Sequence, residues 1–72
     1  MIIVYSTQCP KCNILVKKLQ AANKGFTLVE DLDMVMATAE KYGIMEAPFI
    51  ETEDGVMNFS ESIKALNEGR LS

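Results

Sequence analysis

The apolar run Ile2-Ile3-Val4-Tyr5 gives way, after a polar break at Ser6-Thr7-Gln8, to a stretch whose periodicity is helical. Cys12, Leu15, Val16, Leu19 and Ala22 recur at three- and four-residue spacing, while Lys11, Lys17, Lys18 and Gln20 fall on the opposite face. A second strand-like run extends from Phe26 to Glu30, with Gly25 before it as a helix stop. Two strands joined by a helix of that length do not pair as a hairpin. They run parallel, through a right-handed crossover. The first run is β-branched and aromatic and apolar on both faces, as a central strand requires.

The second half of the chain changes pattern. Asp31 or Asp33 can cap a helix that turns Val35, Ala39 and Tyr42 inward and ends at Gly43. Two short runs follow, Ala47 to Thr52 and Val56 to Asn58, on either side of Glu53-Asp54-Gly55. Asp-Gly between strands predicts a hairpin whose central residues take φ > 0. A last helix, capped from Asn58 or Ser60, carries Ile63 and Leu66 and closes near Gly69. The expected fold class is therefore α/β, with the order β-α-β-α-β-β-α. It implies a four-stranded mixed sheet with helices on both faces, the first strand lying between the second and third. The last strand falls at the edge. No repeat, linker or low-complexity segment interrupts residues 1–72, which read as a single domain.

A chain of 72 residues has one small core, and such a domain buries only about 60% of the surface its unfolded chain exposes. Modest stability is expected. The formal net charge is −3, and no basic run is longer than Lys17-Lys18, so the basic stripe that replaces phosphate counterions is missing and no nucleic-acid partner is expected. No apolar run approaches the roughly 20 residues that span a bilayer, and no charged-then-apolar leader opens the chain. The expectation is a monomer in the reducing cytoplasm, with no membrane partner.

The chain has two cysteines, Cys9 and Cys12, and no histidine. Ser-His and Cys-His nucleophile pairs are thereby excluded, and the commonest metal ligand is absent. Cys9 falls at or next to the N-cap of the first helix, with Pro10 at its first position. Free N–H groups and the helix dipole favour a thiolate there, and Lys11 adds a positive charge. Cys12 lies one turn on, on the same side of the helix and on its apolar stripe. Exposed Cys9 is thus the expected nucleophile and Cys12 the resolving thiol. A structural zinc site needs four ligands, which a single chain does not offer; one shared by two chains is the alternative. A structural disulfide would close too small a loop to constrain the unfolded chain much. A C-x-x-C beside a βαβ pattern carries a thioredoxin-like redox expectation.

Ala47-Pro48 opens the third strand. Proline alone adopts a cis bond at low cost, usually at specific turns. A cis Pro48 would present the Ala47 backbone toward Cys9 as a rail for an extended substrate. The methionines Met34, Met36 and Met57 are expected as core filler, an adaptable docking surface being the alternative. Tyr5 and Phe49 are expected in the core, and Glu46, Glu51, Glu53 and Asp54 on a solvated acidic face.

Val4-Tyr5-Ser6 leading to Cys9-Pro10-Lys11-Cys12, and then Ala47-Pro48-Phe49-Ile50, resembles a glutaredoxin across nearly the whole chain. That resemblance implies the thioredoxin-like fold, a nucleophilic Cys9, a resolving Cys12 and a cis Pro48. It also implies disulfide-containing protein substrates, no bound cofactor, and glutathione as a candidate co-substrate. Lys11 stands where the family has an aromatic residue, and Glu46-Ala47-Pro48 replaces its Thr-Val-Pro. The family's Gly-Gly pair is replaced by Met57-Asn58-Phe59-Ser60-Glu61. In the family that segment holds the γ-glutamyl end of glutathione, which makes Ser60 and Glu61 candidate binding residues beside Lys11, Ala47 and Pro48. The Ala-Pro form and small size are also similar to glutaredoxin-like electron donors of ribonucleotide reductase, which thioredoxin reductase recharges. The competing class is a dimeric iron–sulfur or metal carrier bridged by Cys9.

Overall fold

A computed structural model describes residues 1–7 and 9–69. Gln8, the end of the polar break, and residues 70–72 of the expected domain lie outside the described residues. The elements are β1 (Ile2–Tyr5), α1 (Pro10–Ala21), β2 (Thr27–Val29), α2 (Leu32–Tyr42), β3 (Phe49–Thr52), β4 (Gly55–Met57) and α3 (Phe59–Asn67). They build a four-stranded mixed sheet in the order β2-β1-β3-β4. β1 runs parallel to β2, with Val4 opposite Leu28, and antiparallel to β3, with Tyr5 opposite Phe49. β3 and β4 form the antiparallel hairpin. The expected element order and the central place of β1 are both present.

Each sheet face has its own core. On one, Ile2, Val4 and Ile50 pack with Leu15 and Leu19 of α1 and Ala65 of α3. On the other, Tyr5 and Phe49 pack with Val35 of α2. The two aromatic rings stack, 4.8 Å apart at 12°. Helices therefore cover both faces. No helix among the described residues is long and apolar enough to cross a membrane.

Local chemistry settles the caps. Asp31, not Asp33, caps α2 by accepting the Met34 N–H, and Gly43 ends it at φ +71°. Asn58, not Ser60, caps α3, and Glu61 completes a capping box. α1 stops earlier than Gly25 suggests. Asn23 takes the left-handed turn at φ +58°, so Ala22, beyond the last helical residue, is exposed instead of continuing the apolar stripe. In the hairpin turn positive φ is confined to Gly55, at +128°. The Thr52 hydroxyl accepts the Asp54 N–H at 3.2 Å, so the turn closes without a left-handed Asp54.

Three expectations about side chains are corrected. Met34 and Met36 are exposed, at 54% and 61%, and only Met57 packs against a core. α2 turns one narrow stripe inward, with Val35 its one buried residue and Ala39 packed beside it, and Met34 and Met36 on either side of Val35 face water. Glu51 is not a solvated rim residue either. It accepts hydrogen bonds from Tyr5 Oη at 2.8 Å and from Tyr42 Oη. The Tyr42 and Tyr5 phenols hold the Glu51 carboxyl below the usual carboxylate range. Burial and Glu51 push the Tyr5 phenol up, and the hydrogen bond to Glu51 does the same for Tyr42.

Candidate functional site

β1 ends at Tyr5 and β3 begins at Phe49, and these residues pair across the sheet. The chain leaving β1 and the chain entering β3 therefore meet at one end of the sheet. Cys9 and Ala47, 38 residues apart, come together there, with Cys9 Sγ 3.9 Å from the Ala47 carbonyl oxygen. The Ala47–Pro48 peptide bond is cis, and Pro48 is fully buried.

Cys9 is itself the N-cap of α1, with φ −79° and ψ 167°. Its sulfur accepts the Cys12 backbone N–H at 3.3 Å, and its carbonyl accepts that of Asn13 at 3.1 Å. Pro10 occupies the first helical turn, where a missing N–H leaves nothing unsatisfied. No acidic residue lies in that turn. The Cys9 sulfur is thus the group that meets the positive end of the helix, where negative charge is stabilised.

Cys12 lies one turn further in and is completely enclosed, whereas Cys9 is partly exposed. Both are free thiols, with sulfurs 2.7 Å apart. Burial alone would push the Cys12 thiol up. Hydrogen bonds from the Cys9 and Ser6 side chains and from the Thr7 and Cys9 backbones outweigh it and bring the thiol down to about 7.

Sequence reasoning missed the hydroxyls. Ser6 is 3% exposed and hydrogen-bonded to Cys12. The Thr7 hydroxyl lies 3.9 Å from the Cys12 sulfur. A pair of small hydroxyl residues between a central strand and a dithiol was the available signal. It reads as a simple strand break until the strand end is seen to abut the helix.

Removing the Ser6 hydroxyl should therefore raise the Cys12 pKa and weaken the pH dependence of stability. The folded value of about 7 lies below the free thiol value of about 8.5. Between the two, the unfolded chain binds more protons, so the reduced protein gains stability as pH rises through this window. It loses that increment as pH falls back through 7. Thermal melts of reduced protein across the window should show a shallower slope in Ser6→Ala. A slope identical to that of the parent protein would remove Ser6 from the site.

The remaining candidates lie around the start of α3. Lys11 is exposed on the first turn of α1, with its ammonium 5.8 Å from the centroid of the Phe59 ring. Glu61 is engaged in the capping box, its carboxylate accepting the Asn58 N–H at 3.1 Å. Ser60 is exposed and lines a groove between α1 and α3 with Ile14 and Phe59. The structure thus joins Cys9, Cys12 and Ala47 directly, while Lys11 reaches the first turn of α3, where Ser60 and Glu61 stand.

No protein-family profile matches the sequence, and no curated protein matches it.

Proposed function

We propose that the chain is a cytoplasmic thiol–disulfide oxidoreductase, glutaredoxin-like and of thioredoxin-like fold, that reduces disulfides in proteins. The observation that carries this reading is the placement of Cys9, whose sulfur caps α1 with Cys12 Sγ 2.7 Å away. The partly exposed Cys9 thiolate attacks one sulfur of a substrate disulfide and displaces the other as a thiolate. Cys12, losing its own proton, then attacks Cys9 Sγ and releases the second substrate thiolate. Two electrons have passed to the substrate, and the protein holds a Cys9–Cys12 disulfide. Cys12 is suited to the second step because it is screened from solvent and substrate but adjacent to Cys9 Sγ. The Ser6 side chain and the Thr7 and Cys9 backbones, which take no part in the exchange, favour its thiolate for that step. The Ala47 carbonyl beside Cys9 offers an acceptor to a backbone N–H of the bound substrate.

An external dithiol or thiol system must reduce the disulfide again. The test supplies oxidised protein with glutathione and glutathione reductase, or with thioredoxin reductase, and follows NADPH consumption. Consumption that rises with the amount of protein in either system is the expected result, and it also identifies the reductant. No consumption in either system, with the Cys9–Cys12 disulfide left intact, would overturn the proposal.

A further inference from the structure

A groove of about 390 Å³ opens beside the dithiol. It runs from Thr7 and Ala47 to Met36 and Met45, and Glu40 and Glu46 line it as well. Its deeper wall includes Val35 and Phe49, which belong to the core under α2. Met36 and Met45 are 61% and 98% exposed, an unfavourable placement for apolar side chains that have nothing to cover. Both charged residues in the described lining are acidic. The groove between α1 and α3 differs: Lys18 and Lys64 line it beside Glu68, and neither Thr7 nor Ala47 does.

We propose that this groove seats an extended polypeptide segment next to the substrate's reactive cysteine, with an apolar side chain against Met36 and Met45 and a Lys or Arg facing Glu40 and Glu46. The inference rests on the redox reading of Cys9 and adds to it a substrate class. A substrate joined to Cys9 Sγ passes the Ala47 carbonyl, 3.9 Å away, and Ala47 is also where the groove begins. Continuity with the reacting sulfur makes the occupant a chain attached to that sulfur. Unbranched, polarisable methionines adapt to apolar side chains of different shape. The two carboxylates on its lining, Glu40 and Glu46, favour cations and disfavour small anionic disulfides such as that of glutathione.

The test uses synthetic peptides with one cysteine, activated as thionitrobenzoate mixed disulfides, with Leu and Lys on both sides of the cysteine or Leu and Glu at the same positions. Release of thionitrobenzoate by reduced protein gives the rate of attack. The Lys peptide should react about fivefold faster, as two exposed ion pairs allow, and its advantage should shrink as salt is raised. Glu40→Lys/Glu46→Lys should reverse the ratio of the two rates. The matched variant Glu53→Lys/Asp54→Lys, altered to the same extent in the hairpin turn, should retain it. Equal rates, or a preference that survives reversal at Glu40 and Glu46, would overturn the groove assignment. Release no faster than that of Cys9→Ser would count against the redox reading instead. The groove would then be read from the Met36 and Met45 methyl resonances with peptides carrying Ser in place of Cys. Shifts that follow the Lys peptide support the groove. Shifts that follow only the protein's own concentration assign that face to a second copy of the chain and overturn the proposal.

Discussion

Cys9→Ser should reduce turnover with a protein disulfide on the order of a thousandfold or more, as expected when the nucleophile itself is removed. The enclosed Cys12 sulfur is then the one thiol left, and a substrate disulfide cannot reach it without opening the fold. Unfolding would not account for the loss. Serine is among the preferred N-cap residues, so its hydroxyl can take over from Cys9 Sγ as acceptor of the Cys12 N–H. Thermal melts of this variant should stay near those of the parent protein. Cys12→Ser should behave differently. It keeps the attacking sulfur and loses the resolving one, so a mixed disulfide with substrate should accumulate and be visible by intact mass. Near-normal turnover in Cys9→Ser would reverse the assigned roles.

The largest effect on stability should come from Phe49→Ala. Phe49 is fully buried, stacks on Tyr5, and pairs with it at the end of the sheet where the dithiol sits. Truncating such a ring costs about 3–5 kcal/mol, a large share of what a domain of this size possesses. The melting temperature should fall by roughly 15 °C or more, as calorimetry would show. Phe49→Leu, which keeps most of the volume, should lose much less. A loss under about 1 kcal/mol for the alanine variant would mean that the packing under α2 contributes little.

Where local chemistry agreed with the tertiary outcome, the fold was legible in advance. The parallel crossover followed from the length of the helical stretch after Tyr5, and the hairpin followed from Glu53-Asp54-Gly55. The dithiol at a helix start was legible because Pro10 marks that start. Periodicity could not show how wide a helix face the sheet would accept, so Met34 and Met36 looked like core. Glu51 looked like a surface charge because its partners come from outside β3. Tyr5 is far away in the chain, and Tyr42 lies at the end of the preceding helix. Ser6 was hidden for the same reason, since a hydroxyl's partner is a tertiary fact. The choice between two adjacent capping candidates, Asp31 or Asp33 and Asn58 or Ser60, depended on which side chain reached a free N–H.

The Tyr5–Glu51–Tyr42 arrangement acts on α2 as a second pin. Val35 anchors the helix near its start, and Tyr42 anchors its last residue to Glu51 on the sheet. The two lie seven residues apart, almost two full turns, and so along one stripe of the helix. Two fixed points on a stripe stop a cylinder from rolling. With its roll fixed, α2 holds Met36 and Glu40 at a constant angle to the groove. The orientation of that outer surface is therefore decided in part at the far end of the helix, where two phenols share one carboxylate.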